Sequence, residues 1–189
     1  MNQKNIEQLA NRILQAEKFS KPPIIAEQLA EFYFDLEIEW TSLQNDNVAA
    51  ALSVSEKKIY VNELITNVGL KNFTIAHEIG HWVLHKDLIG QHSPQMEREA
   101  DKFATYLLMP EKIVREEFSK FNEHRFLKYF PTDMKVSSLA DTFCVSYTAM
   151  KIRLSQWELK LIYVDFNSGK CYRSKKEFLE KEAGQIKLF

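Results

Sequence analysis

Phe73-Thr74-Ile75-Ala76-His77-Glu78-Ile79-Gly80-His81-Trp82-Val83-Leu84-His85 places two histidines four residues apart, with a glutamate behind the first, inside an otherwise apolar run. On a helix, positions i and i+4 share a face, so His77 and His81 can offer two imidazole nitrogens to one metal ion. Glu78 is rotated toward the open side of that ion. There a carboxylate can take a proton from an attacking water and hand it to a leaving amine, as amide hydrolysis requires. The apolar neighbours predict a helix buried on most sides, in which the polar side chains need partners. Two hydrogen-bonded core histidines without a metal would give the same five-residue pattern, so the rest of the chain has to decide.

A catalytic zinc takes three protein ligands and keeps one position open. The next periodic segment supplies the third. Pro94 stands at a first helical turn, Pro110 ends the run, and apolar positions 96, 100, 103, 104, 107 and 108 follow the 3.6-residue period of an amphipathic helix. Glu97 and Asp101 lie four apart on a face bordering that stripe. Glu97 is therefore read as the third ligand. Asp101 is read as the acceptor for the non-ligating nitrogen of one histidine, a contact that fixes the ring's tautomer. Glu99 points about 200° away from Glu97 and is expected in solvent with Arg98 and Lys102.

Two further histidines compete for the ion. His85 is about 80° off the direction of His77 and is expected to hydrogen-bond near the helix end. His92, in the loop Gly90-Gln91-His92-Ser93, is within reach of the site if the loop swings in. The longer metzincin pattern needs its third histidine after a glycine turn for which this chain has no room.

Together the blocks Phe73–His81 with Leu84-His85, Glu97-Arg98-Glu99-Ala100-Asp101-Lys102-Phe103-Ala104 and Leu107-Leu108-Met109-Pro110 make the chain resemble the ImmA/IrrE family of zinc metallopeptidases. The resemblance is strongest over residues 73 to 110 and implies ligands at His77, His81 and Glu97 with Glu78 catalytic. In relatives the position of Asp101 is often asparagine, which can still orient a histidine. The family implies a Zn2+ cofactor and a cytoplasmic endopeptidase. Its protein substrate would be a DNA-binding, helix-turn-helix repressor, cut to relieve repression in mobile-element or stress-response control. No large sensor domain is expected, so regulation would come through a partner.

The 189 residues, 45% apolar and 27% charged, fit one soluble domain or one with a small appendage. A net charge of −1 without a basic block disfavours direct nucleic-acid binding as the main activity. Cys144 and Cys171 lack metal-ligand spacing and are expected as free thiols. Met1–Glu7 lacks a secretory pattern, and no uncharged run approaches the roughly 18 residues of a membrane helix.

The expected fold is α+β: a mostly helical, zincin-like metallopeptidase with a small antiparallel sheet before the metal-binding helix and a helix-turn-helix-like C-terminal part. The expected division is residues 1–130 for the peptidase domain. Residues 131–189 would form a helix-turn-helix-like pair and a terminal β-hairpin packed on it. Helical spacing covers residues 3–18 and recurs after Pro22-Pro23 at Ala26, Leu29, Ala30 and Phe34. Leu36–Trp40 alternates like a strand, and Ala50–Val54 with Ile59–Val61 reads as a hairpin around Ser55–Lys58. The small side chains near 48–54 suit an edge against which a substrate could lie, although a covered strand has the same composition.

Phe118, Phe121, Phe126, Tyr129 and Phe130 are either core or a cover over the site. Residues 138–154 read as two helices turning at Cys144–Ser146, with Ser146 as N-cap and only Lys151 and Arg153 as cations on the second. Lys160–Tyr172 reads as two strands joined at Asn167-Ser168-Gly169. Tyr106, Tyr60 and His124 are candidates for an oxyanion donor, with no ground for choosing among them. The rival function is a non-catalytic regulator or toxin-antitoxin component that binds a repressor or DNA. A purely structural metal site would be closed by a fourth protein ligand.

Overall fold

The computed structural model describes residues 3–43, 48–88 and 93–186. In chain order these form α1 (Gln3–Ala16), α2 (Ala26–Phe32), β1 (Glu37–Thr41), β2 (Ala50–Ser53), β3 (Lys58–Asn62), α3 (Val68–His85), α4 (Pro94–Leu108) and α5 (Glu111–Glu123). They continue with α6 (Thr132–Phe143), α7 (Tyr147–Ser155), β4 (Tyr163–Val164), β5 (Cys171–Tyr172) and α8 (Lys175–Ile186), with a 3-10 turn at Leu127–Tyr129 after α5. The architecture is α+β and mostly helical, as expected. His92 and the strand-flanking Asn47 lie outside the described residues.

α3 is the central element. Its Ile75, Ala76 and Ile79 are fully or almost fully buried, and α2, α4 and the sheet pack around it. Asn67 caps its start, the side chain accepting from Leu70 N at 2.8 Å, which satisfies one of the free donors of the first turn. Asn72, buried on the same helix, donates to Ile24 O (2.9 Å) and Cys144 O (3.0 Å) and accepts from Ala26 N (2.7 Å). That one amide ties α3 to the start of α2 and to the turn between α6 and α7.

α4 starts with Pro94 in its first turn, as its sequence predicts, and Ser93 caps it, the side chain accepting from Met96 N at 3.2 Å. Ala100, Phe103, Ala104, Leu107 and Leu108 bury its apolar stripe, and α1 packs on it through the stripe Ile6, Ala10, Ile13 and Leu14. At the α3–α4 contact a Cβ on Gly80 would stand 3.0 Å from Ala100 Cα and 3.1 Å from its carbonyl oxygen. Glycine there lets the two backbones approach more closely than any side chain permits.

The three-stranded sheet has the order β1-β3-β2. The hairpin around Ser55–Lys58 forms as read, with Ala51 opposite Tyr60 and Leu52 opposite Ile59. β1, however, pairs parallel with β3, Ile38 beside Ile59, so the sheet is mixed. Periodicity along a strand shows which face is buried and carries no information on which neighbour it joins. β2 is consequently an edge strand, and it packs against α3.

α6 and α7 turn at Cys144, which adopts the left-handed conformation (φ 52°) usually left to glycine, and Ser146 caps α7 by accepting from Ala149 N at 3.1 Å. This turn sits on the start of α3, where a Cβ on Gly69 would be 2.4 Å from Val145 C. The terminal hairpin is reduced to two-residue strands around a turn in which Asp165 accepts from Asn167 N and Ser168 N. α8 follows in a region for which the sequence reading assigned no element. Among the described residues no helix is long and apolar enough to cross a membrane.

Candidate metal centre

One open cleft of about 580 Å³ is lined by α3, the first turn of α4 and the edge strand β2. On its floor lie His77, Glu78 and His81, with Glu97 beside them. His77 Nε2 and His81 Nε2 are 3.0 Å apart, and the two Glu97 oxygens lie 3.2 Å from His77 Nε2 and 3.4 Å from His81 Nε2. Each of the three residues can offer one donor atom, and those atoms lie within 4.8 Å of one another. Two neutral imidazoles and one carboxylate are the donor set of a borderline cation such as zinc. Among the described residues no fourth ligand joins them, and this donor set fits a divalent metal ion of that kind.

Asp101 and His77 meet where the sequence reading put a carboxylate and a ring, with Oδ1 and Nδ1 2.9 Å apart. Asp101 is half exposed, at 57% of its side chain. Burial lowers the affinity of the His77 ring for a proton, but the Asp101 hydrogen bond and the charges of Glu78, Asp101 and Glu97 outweigh it and leave the pKa raised. For His81 the balance goes the other way: burial and the neighbouring His77 hold its pKa down.

Glu78 is 8% exposed, and burial pushes its carboxyl up to about 7. The His77 charge and a hydrogen bond from the Leu52 backbone act against that rise, and the nearby Glu97 charge adds to it. A bound divalent cation would pull it down again. A carboxyl that titrates near neutrality is suited to accept and release a proton in one cycle.

Glu99 departs from expectation, and its partner is His85, which hydrogen-bonds at the end of α3 as the sequence reading expected. Glu99 is only 9% exposed rather than solvated, accepting from Gln95 Nε2 at 3.1 Å and lying 3.1 Å from His85 Nε2. His85 is 7% exposed, and its Nδ1 is 3.2 Å from His81 Nδ1. The angular reading of α4 was sound, but it did not include the partner helix. With Gly80 pressed on Ala100, residues about 100° to either side of Ala100, Asp101 and Glu99, both reach imidazoles of α3. The available signal was the glycine between the two histidines.

None of the three oxyanion candidates lines the cleft. Tyr106 is 3% exposed, and its hydroxyl accepts from Gln3 Nε2 at 2.6 Å. Tyr60 bonds Glu56, and His124 accepts from the backbone of Phe126 and Leu127. No aromatic of residues 118–130 lines the cleft either; Phe121 is core, whereas Phe126 and Tyr129 are exposed away from it.

A buried helix carrying two histidines, a carboxylate from the next helix and an acidic group within the same cleft define the class of metallopeptidase-like centres. Residues 23–155 match the family model described as IrrE N-terminal-like domain, peptidase family M78, and the chain belongs to that family. The match spans both the metal centre and the α6–α7 pair. Among solved structures, a Mycobacterium tuberculosis transcriptional regulator is similar, with a TM-score of 0.59 at 16% identity over 89% of this chain and 53% of that chain. This chain therefore spans about half the length of that protein, and the likeness concerns the fold alone. No curated protein matches.

Proposed function

We propose that the protein is a zinc-dependent endopeptidase that cuts a protein substrate, a helix-turn-helix repressor, and so relieves repression. The observation that carries this reading is the convergence of His77, His81 and Glu97 beside a buried Glu78 in an open cleft. Zinc, when bound, supplies Lewis acidity to the scissile carbonyl and acidifies a water. Glu78 accepts the proton and passes it to the departing amine. His77 and Asp101 keep one nitrogen aimed at the site through the 2.9 Å contact.

Substrate alignment falls to β2. Asn62 N donates to Ala49 O at 2.9 Å, so the main-chain groups of Ala50 and Leu52, in the alternate positions, point away from β3. Leu52 N–H faces Glu78. The remaining groups offer an extended peptide a strand to pair with above the ligands. A regulator of transcription as a structural relative agrees with a role in gene control.

The rival, a protein that acts by DNA contact through α7, is disfavoured by the fate of its two cations. Arg153 is fully buried and donates to Met109 O at 3.0 Å, and Lys151 lies over the Tyr147 ring and bonds Gly169 O. The test is to incubate the zinc-loaded protein with helix-turn-helix repressors from the same genome, starting with any that a neighbouring gene encodes. One specific cut, lost on chelation, is expected. An intact substrate, or a cut that survives chelation, overturns the proposal.

A further inference from the structure

Behind His81 lies a chain of polar groups that the ligand set does not require: His81 Nδ1 to His85 Nδ1 at 3.2 Å, then His85 Nε2 to Glu99 at 3.1 Å. His85 and Glu99 are both buried, and they come from different helices, α3 and α4. A buried polar pair of this kind costs desolvation and is retained where its hydrogen bonds are made.

The direction of the bonds follows from what each group can do. An ionised carboxylate only accepts, so Glu99 takes the Nε2–H of His85. A neutral imidazole carries one N–H, which leaves His85 Nδ1 with a lone pair. With His85 neutral, the atom facing that lone pair, His81 Nδ1, is the donor. His81 is left with a bare Nε2, the nitrogen that stands 3.0 Å from His77 Nε2 and 3.4 Å from Glu97.

We propose that Glu99 and His85 form a buried relay that fixes His81 as its Nδ1–H tautomer and so aims the Nε2 lone pair at the metal centre. His85 and Glu99 are positioning residues: neither is placed to touch substrate. The two ligand rings are thus set by unlike devices. His77 is held directly by a half-exposed carboxylate, and His81 is held through a second, buried imidazole. An imidazole without such a partner favours the opposite tautomer, which would direct a proton rather than a lone pair into the site. The importance of the relay for metal affinity rests on the proposed zinc site, but the tautomer does not.

The test uses nitrogen-15 NMR of the full chain, metal-free, at about pH 8, above the ordinary histidine range. His81 is expected as Nδ1–H in the parent and shifted toward Nε2–H in His85→Leu. Zinc affinity, read by competition with a chromophoric chelator, is expected to fall about 10- to 100-fold in that variant. His85→Gln, whose amide can accept from His81 and donate to Glu99, should restore most of it; a space-filling role alone would not be rescued in this way. Should His85→Leu fail to fold, Glu99→Leu, which removes the acceptor for His85 Nε2–H, should release the His85 ring and shift His81 toward Nε2–H, and an unchanged His81 tautomer there would overturn the relay. An Nε2–H tautomer in the parent, an unchanged tautomer and affinity in His85→Leu, or no rescue by glutamine would overturn the relay. Since the NMR arm needs no metal, it decides the relay even if the parent takes up no zinc, a result that would overturn the proposed function instead.

Discussion

The helix pairs α3–α4 and α6–α7 start from the same kind of signal, a few polar groups set in an apolar run, and finish in opposite arrangements. In α3–α4 the polar groups converge on an open cleft: His77, Glu78, His81 and Glu97 line it together. In α6–α7 they are taken up by the protein's own backbone, Arg153 buried on Met109 O and Lys151 partly buried on Gly169 O. A helix-turn-helix outline and a histidine motif are equally visible in sequence, and what separates scaffold from site is where the side chains end. Substitutions in the first pair should therefore change chemistry more than stability. Substitutions in the second should change stability and leave binding alone.

The largest expected effect is that of Glu78→Gln. Cleavage should fall by about 100- to 10,000-fold, the range of general acid–base catalysis, while zinc uptake and thermal midpoint stay near the parent values. Cleavage at the parent rate would remove Glu78 from the chemistry and leave the cleft no different in kind from the other pair. Next comes Gly69→Ala, which puts a Cβ 2.4 Å from the Val145 backbone and should cost about 2–3 kcal/mol in denaturant unfolding. A neutral result would mean that the α6–α7 turn is not seated firmly on α3.

Asp101→Ala sharpens the comparison within the first pair. Its contact to His77 is half exposed, so zinc affinity should drop by about tenfold, the lower end for such partners, with little change in stability. Ala50→Pro removes one outward N–H of β2 and should slow cleavage by about fivefold or more through the substrate's binding, in a correctly folded protein. Unchanged cleavage would exclude β2 as the aligning edge. The smallest effect belongs to Lys151→Ala, within about 0.5 kcal/mol of the parent in stability and without any change in DNA affinity measured by fluorescence anisotropy.

Much of this was readable before any coordinates because it depends on local periodicity. The 3.6-residue spacing placed His77 and His81 on one face and carried Glu97 and Asp101 to a common face of the next helix, while residue type alone marked Pro94 for a first turn and Ser146 for a cap. What was not readable depends on which element lies opposite. β1 joins β3 in parallel because of tertiary placement, and no feature within Leu36–Trp40 states that choice. Glu99 looked solvated from its own helix and is buried because Gly80 admits α4 so closely. Tyr106 had suitable chemistry for an oxyanion donor but points its hydroxyl toward α1, a fact that spacing along α4 does not contain.

The central claim is that His77, His81 and Glu97 hold one zinc ion and leave a position open beside Glu78. Anomalous diffraction at the zinc edge from crystals of the zinc-loaded protein tests it most directly. A single strong peak is predicted at about 2.0–2.2 Å from His77 Nε2, His81 Nε2 and a Glu97 oxygen, with Glu78 outside ligand distance. A peak closed by a fourth protein ligand, a peak elsewhere, or none in this cleft would contradict it.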